Sequence, residues 1–274
     1  MTDNRSSSER FSRQRDIVPP DRLASCRATV AGVGAIGRQV ALQLAAMGVS
    51  WLQLVDFDTV DESNLASRGY LECDLGRLKV EATAELCLQI SSRLELQTLP
   101  TRFRRRQEVG NVLFCCVDKI DARRLIWEAT KHRTDIFIDG RMSAEVLRVI
   151  TAHDKASRSH YPATLFPAAE AYTGSCTAKT TIYCANIAAG LMLAQFTKWL
   201  RGLPIDPDLQ LNLLASEMTT LPIFSHSSCR RRMISLCHSS SEMPSGFGSA
   251  LGSGSSVAIS AARHAASGRR AGQM

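Results

Sequence analysis

The chain is expected to fold as an α/β protein, with a Rossmann-like, doubly wound and mainly parallel sheet that gains some antiparallel strands toward its C-terminal part. Three features carry this expectation. Short β-rich runs alternate with helical patterns along most of the chain. A glycine turn, Gly32-Val33-Gly34-Ala35-Ile36-Gly37, joins a strand pattern to a helix pattern. An acid, Asp56, then closes the next strand, where such a fold places a ribose-binding carboxylate.

Arg27–Ala31 reads as the first strand. Ala35–Met47 follows as a helix that turns Ile36, Val40, Leu42, Leu44 and Met47 toward the sheet. Ser50–Asp56 is the second strand. Gly76–Ser92 is a helix with apolar positions at Leu78, Val80, Ala84, Leu88 and Ile90. Leu94–Leu99 and Asn111–Val117 are strands, Ala122–Lys131 is a helix, and Asp135–Asp139 and Glu145–Thr151 are further strands. Thr181–Leu200 reads as a buried helix, because Asn186, Gln195 and Lys198 interrupt it too often for a membrane span. Asp208–Leu214 is the last strand expected.

At 274 residues the chain admits one large domain or two small ones, and 45% hydrophobic with 22% charged residues is an ordinary globular mixture. No apolar run approaches the ~18 residues of a membrane span. The first 16 residues hold no apolar core of a secretory leader, so a cytoplasmic protein without membrane contact is expected. The net charge is +7, but Ser225–Met274 carries six Arg against one Glu, which leaves +2 on the first 224 residues. That tail also holds 14 Ser and 6 Gly, a composition too poor in apolar area to offset chain entropy. The expected division is a nucleotide-binding domain over 1–224 and a disordered Ser/Gly/Arg-rich tail over 225–274. No recognition motif accompanies Arg230–Arg232 or Arg263, so no specific nucleic-acid partner is expected. Nine cysteines form no CxxC pair, which argues against both a disulfide framework and a four-cysteine zinc site. Cys26, Cys87, Cys115, Cys116 and Cys184 lie in apolar runs and read as small buried hydrophobes.

By itself the glycine turn indicates an adenine nucleotide held at a helix N-terminus, with NAD the commonest case. The segments that follow are more specific. Asp56-Phe57-Asp58-Thr59-Val60 runs into Asp61-Glu62-Ser63-Asn64-Leu65, Gly76-Arg77-Leu78-Lys79 opens the next helix, and Arg10-Phe11-Ser12-Arg13-Gln14 precedes the first strand. In this order they resemble the ThiF/MoeB/HesA family, adenylating enzymes related to ubiquitin-activating enzymes. The resemblance covers roughly Arg10 to Asn212.

The resemblance implies ATP-dependent adenylation of the C-terminal carboxylate of a ubiquitin-like or sulfur-carrier protein, with release of pyrophosphate. It implies that Gly32, Gly34, Ala35, Ile36 and Gly37 cradle the nucleotide, that Asp56 binds ribose, and that Asp58 and Asn64 line the phosphate region. Lys79 and Arg68 are implied phosphate ligands, and Asp118, at the end of a strand, the implied holder of Mg2+. Arg13 is implied to reach the phosphates of a neighbouring subunit, which requires a homodimer. Cys176, in a loop before the long helix, is the candidate thioester-forming cysteine. No zinc is expected. Asp121 is assigned the bland role of capping its helix. The chain departs from the family pattern twice: Lys119 stands where an Asn usually follows the aspartate, and Arg68 arrives one residue late. These departures keep a catalytically inactive adaptor of the same family open, and an NAD(P)-binding oxidoreductase using the same glycine turn is the other alternative.

Because the tail has no core-forming pattern, deleting Ser225–Met274 is expected to leave folding and ATP binding intact. A large fall in melting temperature on truncation, or loss of soluble protein, would contradict this.

Overall fold

The computed structural model describes residues 9–167 and 181–220, so the tail at 225–274 and Cys176 lie outside the described residues. In chain order the described elements are α1 (Pro20–Ala24), β1 (Arg27–Ala31), α2 (Ala35–Met47), β2 (Trp51–Val55), α3 (Glu62–Arg68), α4 (Lys79–Ile90), β3 (Glu95–Leu99), β4 (Val112–Cys115), α5 (Ile120–Thr130), β5 (Ile136–Ser143), β6 (Val146–Ala152), α6 (Lys155–His160), α7 (Ile182–Leu200), β7 (Asp208–Asn212) and β8 (Glu217–Thr220). The strands form one sheet in the order β3-β2-β1-β4-β5-β6-β7-β8. β3 through β5 pair in parallel, and β5 through β8 pair antiparallel. Strand order reverses between β1 and β4, and in open α/β sheets ligands bind at that point, outside the carboxyl ends of the strands.

Strand alternation divides the core between the two faces of the sheet. Val112, Phe114, Ile136 and Ile138 pack with residues of α2, α4 and α7, among them Leu44, Val80 and Phe196. Leu113, Cys115 and Phe137 face the other way, against Ile126 and Trp127 of α5 and against Tyr161. α2 lies between α4 and α7 on the first face. Cys26, Cys87, Cys115 and Cys184 are buried, and Cys116 is half-buried. Burial pushes the Cys26 thiol up to about 11 and the Cys87 thiol up to about 12, which suits inert core residues. No helix among the described residues is long and apolar enough to cross a membrane.

Several boundaries differ from the sequence reading. The helix expected from Gly76 begins at Lys79, because Thr59 and Leu78 form a β-bridge and the Val60 and Gly76 amides bond across it to Arg77 and Val60. Its buried face is Val80, Ala84 and Cys87, while Leu88 points outward. α5 begins two residues earlier than expected, with Lys119 at its N-cap. Asp121 therefore does not cap it; it stands in the first turn, where its charge complements the helix dipole. β5 continues past Asp139 to Ser143, and β7 stops at Asn212, where the chain turns through Ser216 at φ +55°. Four elements were not anticipated: α1, α3, α6 and β8. β8 is exposed at all four positions, so it carries no alternation to read.

Candidate functional site

The three glycines of the first turn meet three different constraints. Gly32 adopts φ +88°, and a Cβ there would come within 2.8 Å of the Cys116–Val117 backbone. At Gly37 a Cβ would run into the Gly32 carbonyl, so the first turn of α2 rests directly on the turn that precedes it. A Cβ at Gly34 would meet nothing within 4 Å. Gly34 is the N-cap of α2, so open space lies before the unpaired amides of a 13-residue helix. Ala35 and Ile36 are the first residues of that helix.

Asp56 follows β2 directly. Its Oδ2 accepts from the Val33 amide at 2.6 Å and its Oδ1 from the Asp58 amide at 2.9 Å. Burial raises the carboxyl above its usual range, and these two amides oppose that shift. The side chain clamps the glycine turn, and each oxygen keeps a lone pair for a further donor.

Asp58 and Lys79 come together across the Thr59–Leu78 bridge. Their ion pair measures 2.8 Å, with the Lys79 side chain 3% exposed and that of Asp58 47%. The arrangement places a nearly buried ammonium at the N-terminus of α4, with one face covered by its own carboxylate partner. Asn64 differs from its expected place. It is fully buried in α3 and lines no open surface. Its Nδ2 donates to Asp61 Oδ1 at 2.6 Å, and its Oδ1 accepts from Arg68 Nη1 at 3.1 Å. Its direct effect is to hold Arg68, which is half-buried in the last turn of the same helix.

Asp118 is exposed in the segment between β4 and α5, three residues beyond Cys115, which pairs with Ala31 at the end of β1. It thus follows the strand that flanks the switch point, as the sequence predicts. Lys119 beside it is exposed as well. Arg13 stands elsewhere. It lies exposed in a 3-10 turn, Ser12–Gln14. Gln14 Nε2 bonds the Met47 carbonyl at 2.7 Å, and the Phe11 ring sits over Gly48. This is the C-terminal end of α2, about 20 Å along the helix from Gly34 at 1.5 Å per residue. Arg13 does not join the glycine turn of its own chain.

Sequence reasoning missed a buried charge network. Asp139 is fully buried and pairs with Arg123 of α5 and Arg141 of β5, the latter at 2.8 Å. It also accepts from the Tyr161 hydroxyl at 2.7 Å. Arg123 lies in the first two turns of α5, so this network anchors the helix that follows Asp118. The detectable signal was Asp139-Gly140-Arg141, two charges inside an otherwise apolar strand. Tyr70 was missed too: it is buried, and its hydroxyl donates to the Val33 carbonyl at 2.7 Å. Among the described residues no group of three or more His, Cys, Asp or Glu side chains is placed to hold a metal.

Comparison with known proteins gives one family. The model of the ThiF family matches residues 11–233. The molybdopterin-synthase adenylyltransferase of Haemophilus influenzae is 29% identical over 141 residues, covering 48% of this chain and 58% of that protein. The adenylyltransferase and sulfurtransferase MOCS3 of Dictyostelium discoideum is 33% identical over 103 residues, 35% of this chain and 24% of that protein. The chain therefore matches less than two thirds of the length of these relatives. Among solved structures, PaaA superposes with a TM-score of 0.67 at 20% identity, over 80% of this chain and 74% of that one. E. coli MccB with AMPCPP and MccA superposes with a TM-score of 0.63 at 16% identity, over 79% and 72%. These two likenesses are of fold.

The glycines yield a paired expectation. Gly37→Ala should abolish or severely reduce soluble folded protein, because its Cβ collides with backbone that cannot retreat. Gly34→Ala should fold with a melting temperature within a few degrees of wild type, yet lose about tenfold or more in nucleotide affinity, since the methyl enters space the turn leaves open. Thermal melts and titration with ATP distinguish the two.

Proposed function

The chain belongs to the ThiF family, and from that premise we propose that it uses ATP to adenylate the C-terminal carboxylate of a protein or peptide, releasing pyrophosphate. The observation that carries the proposal is the Lys79 ammonium, 3% exposed and paired with half-open Asp58, whose amide bonds the same Asp56 carboxylate that holds the glycine turn. Lysine is almost never buried this deeply unless paired, and Asp58 is its partner here; the half-exposed carboxylate leaves that pair open to a phosphate on its outer side. A hydride-transfer site has no need of it beyond the pyrophosphate contacts.

In this reading the amides of Gly34, Ala35 and Ile36 receive phosphate oxygens, and the open space at Gly34 is the room they require. Asp56 uses its remaining lone pairs for ribose hydroxyls. Lys79 and Arg68 balance the phosphate charge, with Asp58 and Asn64 holding these two cations in place. Magnesium suits a hard carboxylate plus phosphate oxygens, and Asp118 is the exposed carboxylate available to hold it. When bound, the ion would neutralise charge on the phosphates. The substrate carboxylate attacks the α-phosphorus, the bond to the β-phosphate oxygen breaks, and pyrophosphate departs with the electron pair.

The substrate class we favour is a ubiquitin-like or sulfur-carrier protein in the cytoplasm. The names of the relatives support it, molybdopterin-synthase adenylyltransferase and adenylyltransferase and sulfurtransferase among them. We assign Arg13 to the site of a neighbouring subunit, since its own chain's turn lies at the far end of α2. Cys176 as a thioester-forming nucleophile belongs to the same reading.

ATP–pyrophosphate exchange in the presence of candidate carrier proteins tests the proposal, and no exchange with any carboxylate acceptor would overturn it. Asp118→Ala is expected to lower exchange by about 10²–10³ while ATP affinity falls far less. Asp121→Ala should leave exchange unchanged and cost no more than about 1 kcal/mol through the helix dipole. For the shared site, mixing Arg13→Ala chains with Asp118→Ala chains should restore part of the activity, because one site of the mixed dimer is then intact. Absence of recovery from subunits shown to exchange would remove Arg13 from the site.

A further inference from the structure

Arg68 arrives one residue late for the family pattern, and the structure contains a set of contacts that seat it. α3 ends at Arg68, and Gly69 at φ +70° turns the chain into Tyr70. Two consecutive residues of α2 grip this turn from below. Gln39 Nε2 donates to the Arg68 carbonyl at 3.2 Å, and the Arg38 guanidinium lies over the Tyr70 ring, 4.5 Å from its centre. The Tyr70 hydroxyl in turn donates to the Val33 carbonyl at 2.7 Å, while the Val33 amide is already held by Asp56. Both polar backbone groups of Val33 are thus fixed by side chains from outside the glycine turn. Neither Asp56 nor Tyr70 is near it in sequence.

Arg38 is 2% exposed, and its Nε and Nη2 have no hydrogen-bond partner. A buried guanidinium left in this condition is destabilising, so packing alone does not account for it. Its close contact is the π face of Tyr70, an attraction strengthened by the lack of water around it. We propose that Tyr70 is a positioning residue, seated by Arg38 and Gln39, that couples α3 and its Arg68 to the phosphate-binding turn. The site role of that turn rests on the adenylation reading above; the mechanical coupling does not.

Two readouts separate these layers. In nucleotide-free full-length protein, hydrogen–deuterium exchange of the peptide spanning residues 32–37 should accelerate about five- to tenfold in Tyr70→Phe, the effect expected at the turn for the lost bond to Val33, one of the two that the hydroxyl makes, the other being with Thr83 Oγ1. The melting temperature should stay within a few degrees of wild type. The affinity for magnesium-ATP should fall by a similar factor. Arg38→Met removes the unpartnered nitrogens, so a purely structural role predicts a stabler protein with unchanged ATP affinity. Positioning predicts lower affinity whatever the melting temperature does, with Arg38→Lys recovering much of it by restoring a cation over the ring. Unchanged exchange in a folded Tyr70→Phe variant, or unchanged affinity in Arg38→Met, would overturn the proposal. Should Tyr70→Phe not fold, Gln39→Leu makes the same test through the Arg68 carbonyl, and a wild-type exchange rate there would overturn it equally. A wild-type protein that binds ATP but shows no pyrophosphate exchange would count against adenylation and leave the coupling standing.

Discussion

A side chain at Gly37 has nowhere to go, because the Gly32 carbonyl occupies its space, and this contact determines how deeply α2 sits on the sheet. Much else follows from that depth. With α2 pressed onto β1, its Val40 and Leu44 reach the core, and α4 and α7 pack along its two sides. The same closeness points the first amides of α2 into the space before Gly34, above the ends of β1 and β4. A helix held a few tenths of an ångström farther out would lose packing and the aim of those amides together, since interiors at crystal-like density do not absorb such shifts.

Around that seat, charge is buried in paired form. Lys79 meets Asp58, Asp139 meets Arg123 and Arg141, and Asp208 meets Arg148 through two bonds of 2.8 and 2.7 Å. Burial pushes the Asp208 carboxyl upward, but hydrogen bonds from Arg148 and His160 outweigh it and hold the group below the usual carboxylate range. These pairs link elements distant in sequence: α4 to the β2–α3 connection, α5 to β5, and β7 to both β6 and α6. Replacing one partner would strand a charge, which costs more than the intact pair contributes. Their value lies in fixing where elements stop. The loop bearing Asp118 lies between β4 and α5, and the Asp139 network anchors α5. Among the described residues Arg38 is the exception to the pairing of buried cations, held over an aromatic ring with two nitrogens unsatisfied.

Periodicity and turn chemistry made the long elements legible. α2 runs over the residues its apolar spacing predicts, and α7 starts one residue later than expected because Thr181 serves as its N-cap. The short elements were harder for definite reasons. α3 has seven residues and buries only Asn64, so no apolar stripe announces it. β8 buries nothing. Asp121 resembled a cap because acids favour helix starts, yet α5 begins at Ile120, and Lys119 takes the cap position without a side-chain bond. Leu88 fitted the helical pattern of α4 but falls on its outer face, since the buried face runs through Val80, Ala84 and Cys87.

The sequence by itself determined the fold class, the glycine turn, the acid after the second strand and the family, because each is written in local order: glycines at fixed spacing, an acid after a β run, and a lysine at a helix start. Tertiary structure alone decided what those residues touch. It turned Asn64 inward to hold Arg68, set Lys79 on Asp58, carried Arg13 to the opposite end of α2, and brought Tyr70 to Val33 across 37 positions of chain. Such contacts join segments far apart along the chain, and their geometry depends on helix depth, strand register and burial. None of these leaves a periodic trace in the residues themselves.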